Sequence, residues 1–330
     1  MKPARHAGRT PLPRNLVEID LEPRAGSLRA EVLAGLSRSP KSLPPKLFYD
    51  ARGAALFTRI CATAAYYPAR TETSIYRDAG VDIARQVGPG ATIVEPGAGE
   101  MRKIRLLLPA LRPAAYVPID ISAQQLREEA QLLAREYPAL SVVAVAGDFQ
   151  DPHLDAVIAA QPGPRVLFFP GSTIGNFEPP QALAFLRRAR ALLGGGGGVL
   201  LGVDLEKDAA ILDLAYNDPE GVTAQFNLNL LARLNRELAA RFDLSAFRHR
   251  AFYDASVHRI EMHLVSTRQQ AVPVAGRLIA FAEGETIHTE NSYKYTPAQV
   301  QALARDAGYA RCRTWTDPAG WFGVFLLACD

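Results

Sequence analysis

Short, almost unbroken apolar runs recur through the first two thirds of the chain. They cover 92–95, 115–120, 141–146, 165–170 and 199–204. Between them lie stretches of helical period, such as 103–111 with Leu106, Leu107 and Leu111 on one side, 123–136 and 180–193. A continuous apolar strand is buried on both faces. Strands alternating with helices require helical crossovers in a parallel sheet. The pattern predicts an α/β doubly wound parallel sheet. Polar residues mark the strand ends: Glu95 with Gly97, Asp120, Asp148, Asn176 and Asp204. Ligands of such sheets bind outside the carboxyl ends of the strands.

The flanking segments read differently. A helix is predicted over 27–36, with Leu28, Val32, Leu33 and Leu36 on one face, and another over 54–60. Tyr66-Tyr67 precedes Pro68, which predicts an extended segment there. A helix over 71–87 follows and stops at Gly88-Pro89-Gly90. Beyond Glu206 the period is helical to about 242. From 246 it changes, with strands predicted over 257–266 and 278–283 and a polar strand or loop over 284–295. Ser122 is expected to cap the helix over 123–136. Thr296 is expected to cap a helix over 297–307 with proline at its first position. Segments 311–315 and 321–329 read as a hairpin closing the sheet.

Composition narrows the function classes. The 330 residues are 48% hydrophobic and 22% charged, ordinary for a globular protein. A net charge of +3 without a Lys/Arg block gives no reason to expect a nucleic-acid partner. No apolar stretch is long enough to span a membrane, and no secretory h-region is read near the N-terminus. Residues 1–17 are expected to form a disordered tail. Cys61, Cys312 and Cys329 are scattered, which argues against a disulfide framework or a zinc site and fits a reducing cytoplasm. The histidines show no metal-ligand spacing. A cytoplasmic monomer acting on a small molecule is expected.

The strand ends suggest the ligand. Gly97-Ala98-Gly99 lets a backbone approach a ligand closely. Asp120, ending the second strand, is placed to hold a ribose diol. A dinucleotide site wants a third glycine, but the run continues Glu100-Met101-Arg102. In Gly147-Asp148-Phe149 the acid can accept from an adenine amine while the phenyl ring stacks. A nucleoside without phosphates, held by two acids, points to S-adenosylmethionine. A nicotinamide-dependent oxidoreductase is the rival from another class, disfavoured by the missing glycine.

Several motifs are similar to those of the ergothioneine-pathway histidine Nα-methyltransferases, which trimethylate free L-histidine to hercynine. They are Phe48-Tyr49-Asp50-x-Arg52-Gly53, Tyr66-Tyr67-Pro68-x-Arg70-x-Glu72, Gly97-x-Gly99-x-x-x-Lys103, Gly147-Asp148-Phe149 and the run from Pro170 through Gly171 and Asn176 to Phe177. Tyr216-Asn217, Arg259-Ile260-Glu261-Met262 and Glu290-x-Ser292-x-Lys294-Tyr295 continue the likeness. The first turn departs from it: Glu95-Pro96 and Glu100-Met101-Arg102 stand where smaller polar residues are expected.

The resemblance implies a Rossmann-like class I methyltransferase sheet, 73–206 plus 294–330, with an inserted α+β substrate-binding domain built from 18–72 and 207–293. It also implies roles. Gly97, Lys103, Asp120, Asp148 and Phe149, with Tyr49 beside them, would bind S-adenosylmethionine. Asn176 and Tyr216 would take the substrate carboxylate, assisted by Tyr66. Glu290 and Ser292 would hold the imidazole nitrogens, and Met262 would line the ring pocket. Tyr49 and the Gly171 carbonyl would lie at the reacting amine. The expected chemistry is direct in-line displacement resting on positioning. Methylation of another aromatic amino acid or an indole alkaloid precursor is the same-class alternative, and a non-catalytic ligand sensor is a third. Asn291, between Glu290 and Ser292, should face away from the pocket if the segment is a strand.

Overall fold

A computed structural model describes residues 12–21, 27–149 and 151–329. The chain begins with strand β1 (Leu16–Asp20), helix α1 (Ser27–Leu36), a short strand β2 (Lys41–Ser42), a 3-10 turn (Pro45–Phe48) and α2 (Ala51–Ala62). The alternating portion follows: α3 (Tyr67–Val87), β3 (Thr92–Pro96), α4 (Arg102–Leu111), β4 (Ala115–Asp120), α5 (Ala123–Glu136), β5 (Ser141–Ala146), α6 (His153–Ala159), β6 (Arg165–Phe169), a 3-10 turn (Thr173–Asn176), α7 (Pro179–Leu193) and β7 (Gly198–Asp204). Then come α8 (Ala209–Tyr216), α9 (Val222–Glu237), β8 (Phe247–Asp254), β9 (Arg259–Ser266), β10 (Gln270–Val274), β11 (Arg277–Phe281) and β12 (Thr286–Tyr293). The chain closes with α10 (Pro297–Asp306), β13 (Arg311–Thr316) and β14 (Phe322–Ala328).

An eight-stranded sheet has the order β1-β5-β4-β3-β6-β7-β14-β13. All neighbours from β1 to β7 are parallel, and β14 joins β7 antiparallel. The order reverses between β3 and β6, so a crevice opens at their carboxyl ends. Alternate residues serve opposite faces. Ile93, Tyr116 and Phe168 join one apolar layer, while Val94, Val117 and Phe169 join the other. A four-stranded sheet, β2-β12-β9-β8, lies with α1, α2, α8 and α9 around a third core containing Phe48, Leu212, Phe226 and Met262.

The doubly wound sheet and its closing hairpin follow the hydrophobic pattern. Four details differ. Residues 16–20, expected to straddle the tail and the substrate domain, form β1 and pair with β5 at the edge of the large sheet. Ahead of it, within the expected tail, the Asn15 amide donates to the Ala134, Tyr137 and Leu140 carbonyls, while residues 1–11 lie outside the described residues. Helix α3 begins at Tyr67 rather than 71, because Pro68 occupies the first turn, where its missing N–H costs nothing. Ser122 makes no side-chain cap; its backbone N–H instead donates to Asp120 Oδ1 at 2.8 Å. Strand β8 and helix α6 had no clear signal. Thr296 does cap α10, in a capping box with Gln299. Among the described residues, no helix is long and apolar enough to cross a membrane.

One close approach shapes the crevice. Glu72 of α3 is fully buried, and its two oxygens accept from Gly171 N–H at 3.0 Å each. It also accepts from Tyr76 O–H at 2.8 Å and pairs with Lys103 at 2.5 Å. Gly202 of β7 leaves the slot in which this carboxylate lies, since a Cβ there would collide with Glu72 Oε1. Gly202→Ala is therefore expected to destabilise the protein by about 1–3 kcal/mol, read as a lower urea midpoint. An unchanged midpoint would show that the slot is not filled this way.

Candidate active site

The crevice and the smaller sheet enclose one cavity of about 1280 Å³. Every site residue named from the sequence, from Tyr49 to Ser292, lines it.

On the side of the large sheet, the turn after β3 is built for close approach. Gly97 and Gly99 have φ of +68° and +51°, and a Cβ at Gly97 would meet nothing within 4 Å. Gly97 N–H donates to the Ile119 carbonyl at 2.7 Å, clamping the turn onto β4. Gly99 N–H donates to Asp120 Oδ2 at 3.0 Å, while Ser122 N–H takes Oδ1. The Asp120 carboxylate is thus fixed by backbone, with further lone pairs available. The bulky Met101, which departs from the expected turn, is buried and left-handed at the start of α4, with φ of 52°.

Asp148 follows β5, with Lys46 3.7 Å away across the cavity. Phe149 packs edge-on to Phe169 and Phe185 at 6.2 and 6.0 Å. Lys103, at the start of α4, reaches back to Glu72. Gly171 sits beside it with φ of +77°. Behind this wall Glu95 is buried and accepts from Tyr116 O–H at 2.6 Å; burial pushes its carboxyl up to about 8.

The other wall comes from the smaller sheet. Glu290 and Ser292 are two apart on β12 and so share a face, and Met262 is the β9 partner of Glu290. Asn291 faces elsewhere and donates to Glu178 Oε1 at 2.9 Å. Tyr216, ending α8, donates to Ser292 Oγ at 2.8 Å. Tyr66 stands 6.2 Å from the Tyr216 ring, and Tyr49 lies edge-on to Phe57 and Phe226 at 5.8 Å each. Neither the Tyr49 nor the Tyr66 hydroxyl is bonded to another described residue. Burial raises both phenols well above their ordinary value, so both stay neutral. Asn176 closes the 3-10 turn after β6 and also lines the cavity. Burial pushes the Glu290 carboxyl up to about 7, with Lys294 pulling the other way.

Two groups beneath the site carried no role in the sequence reading. One is Glu72, which fixes the Gly171 peptide. The other is a buried cluster around Asp204, the last residue of β7. Tyr67 O–H lies 2.8 Å from both of its oxygens, Lys207 pairs with it at 2.7 Å and Lys294 at 2.8 Å. Burial pushes this carboxyl upward, but the two lysines more than reverse the effect and hold it below its usual range. The spacing 290, 292, 294 was the signal for Lys294. Elsewhere Glu261, His263 and His288 gather within 4.8 Å, a cluster invisible in their spacing, although Arg259 already takes the Glu261 carboxylate.

With this geometry in place, comparison with known proteins is informative. Residues 28–329 match the family described as histidine-specific, S-adenosylmethionine-dependent methyltransferases. Over 308 residues the chain is 44% identical to a histidine N-alpha-methyltransferase of Mycolicibacterium smegmatis, covering 92% of this chain and 95% of that protein. It is 30% identical over 309 residues to ergothioneine biosynthesis protein 1 of Neurospora crassa, covering 88% of this chain and 33% of that one. A 4-dimethylallyltryptophan N-methyltransferase of Claviceps purpurea is 28% identical, with 91% and 94% covered. The chain belongs to the histidine-specific, S-adenosylmethionine-dependent methyltransferase family.

Proposed function

We propose that this protein methylates the α-amino nitrogen of L-histidine three times, giving hercynine for ergothioneine biosynthesis. The observation that carries the reading is the pair Glu290 and Ser292, an acceptor and a donor side by side on β12 inside the cavity. A neutral imidazole offers one N–H and one bare nitrogen, the complement of that pair. Tyr216 and Asn176 take the substrate carboxylate, with Tyr66 alongside. Met262 lies against the ring. On this reading 21–72 and 207–293 form the substrate unit, and the large sheet, β1 included, forms the methyltransferase unit. The enzyme works in the cytoplasm as a monomer, without a nucleic-acid partner.

The residues of the crevice fit S-adenosylmethionine. Asp120 is held rigid by two backbone donors and keeps lone pairs for a ribose diol. Gly97 leaves its side of the turn open. Asp148 and Phe149 suit the adenine. Lys103 stands by the methionine end with Glu72 behind it. When bound, the sulfonium supplies an activated methyl group. What the chain adds is placement, the main source of rate when the leaving group is already good. Tyr49 and the Gly171 carbonyl orient the amine. Because both buried tyrosines stay protonated, neither removes the ammonium proton, and the amine reacts after losing that proton to solvent. The Tyr49 oxygen and the Gly171 carbonyl can accept from the N–H groups of the primary and secondary amine, while the tertiary amine, which has none, is placed by the grip on its carboxylate and ring.

Incubation with histidine and S-adenosylmethionine is expected to give mass gains of one, two and three methyl groups. Methylated tryptophan or tyrosine with untouched histidine would overturn the substrate and keep the reaction class. Glu290→Ala is expected to raise KM for histidine roughly 10- to 100-fold, the worth of a hydrogen bond to a charged group, with S-adenosylhomocysteine binding little changed. The acid dependence follows from the raised Glu290 carboxyl. As pH falls through about 7, it gains a proton and ceases to be a pure acceptor. KM for histidine should therefore climb below that pH. Glu290→Gln keeps an acceptor that does not titrate. Its KM should therefore climb less steeply with falling pH, because only the imidazole of free histidine is left to gain a proton. Superimposable profiles for the two enzymes would rule out Glu290 as the titrating group.

A further inference from the structure

The face of β12 that carries Glu290 and Ser292 continues to Lys294, which is almost fully buried at 2% exposure. An ammonium has three N–H donors and no acceptor. Here each donor has a target: Asp204 Oδ2 at 2.8 Å, Ser292 Oγ at 2.7 Å and Tyr216 OH at 3.2 Å. Asp204 is itself held by Tyr67 and Lys207. Burial alone would weaken the ammonium, but Asp204 and Tyr216 outweigh it and keep the group charged.

The direction of these bonds matters. Ser292 Oγ receives from Lys294, and in the free protein also from Tyr216. With its lone pairs occupied, its own hydrogen has one place to go, the cavity. Tyr216 OH also receives from Lys294, so when a carboxylate accepts the Tyr216 hydrogen bond in place of Ser292, both oxygens still have the same donor behind them. Each oxygen keeps one accepted bond from Lys294, which biases both hydroxyls toward donating into the cavity.

We propose that Lys294, anchored by Asp204, is a positioning residue that commits Ser292 and Tyr216 to donating and so selects a neutral ring with a bare nitrogen. The inference rests on the substrate reading above and deepens it. An imidazolium has N–H on both nitrogens and would set donor against donor at Ser292. An indole has one N–H and no bare nitrogen, so it would leave the Ser292 hydrogen unpaired. A site that hydrogen-bonds its ligand rejects analogues lacking the partner far more strongly than an apolar slot rejects a wrong shape.

The test uses Lys294→Met, which keeps the length and removes the donors and the charge. Asp204→Asn with Lys207→Met and Lys294→Met is the second variant, free of any leftover buried charge should the first fold poorly. Calorimetry reads S-adenosylhomocysteine binding, then histidine and tryptophan binding to the S-adenosylhomocysteine complex. The expected result is unchanged S-adenosylhomocysteine affinity, histidine weakened roughly 10- to 100-fold, and tryptophan weakened less, so that selectivity for histidine falls. Ser292→Ala added to Lys294→Met should then cost little more. Equal losses for both amino acids, or a full additional loss from Ser292→Ala, would overturn the proposal. Histidine bound as tightly by the variants as by wild type would overturn it alone. Wild-type protein that does not bind histidine would overturn the substrate reading, and this inference with it.

Discussion

A carboxylate with almost no access to water holds the two sheets together. Asp204 ends β7 in the large sheet, yet its partners come from α3, from the segment after β7 and from the end of β12 in the smaller sheet. Burying such a charge is costly unless its geometry is saturated, and removing one partner from a buried pair typically costs about 3–5 kcal/mol. The cluster fixes the register between the strand that ends at the crevice and the strand that presents the opposite wall. The cavity lies between the two elements so joined. Its acids and hydroxyls face one another across a gap of set width.

The same logic recurs nearby at smaller scale. Glu72 fixes the Gly171 peptide and braces Lys103, and Gly202 yields the space that this requires. Backbone amides fix Asp120 in the same way. Asp120, Gly171, Lys103 and Ser292 each rest on a partner behind them, so little reorganisation of these groups remains to be done when ligands arrive. For a reaction whose leaving group needs no help, such support is where the protein can contribute most.

How much of this could be read from the chain depended on how local each signal was. Strands β3 to β7 stand out because burial on both faces makes them continuously apolar. The strand-end residues Gly97, Asp120 and Asp148 follow from where ligands bind such sheets. Strand β8 (Phe247–Asp254) did not stand out, because Arg248, His249 and Arg250 interrupt its half-exposed faces. The start of α3 was misread because proline excludes a helix interior but not a first turn. Asn176 is marked by its strand end, but its role, like the roles of Glu290 and Ser292, comes through resemblance rather than pattern. Glu72 and Lys294 were inside the same motifs without a role, since nothing local tells a buried charge from a solvated one. Their partners Gly171 and Asp204 lie far along the chain.

Strand β1 has a consequence in time. It leads the described chain, but it pairs in parallel with β5, so Leu16 meets Val142. At translation rates of roughly 5–20 residues per second, the first strand waits on the order of ten seconds for its partner. Parallel pairings between distant segments are also slow to form, because loop-closure entropy must be lost before the contacts are gained. Of its five residues only Leu16 is buried in the finished sheet, and the rest are polar or partly exposed. A strand that must wait unpaired is thereby given little to offer a wrong neighbour.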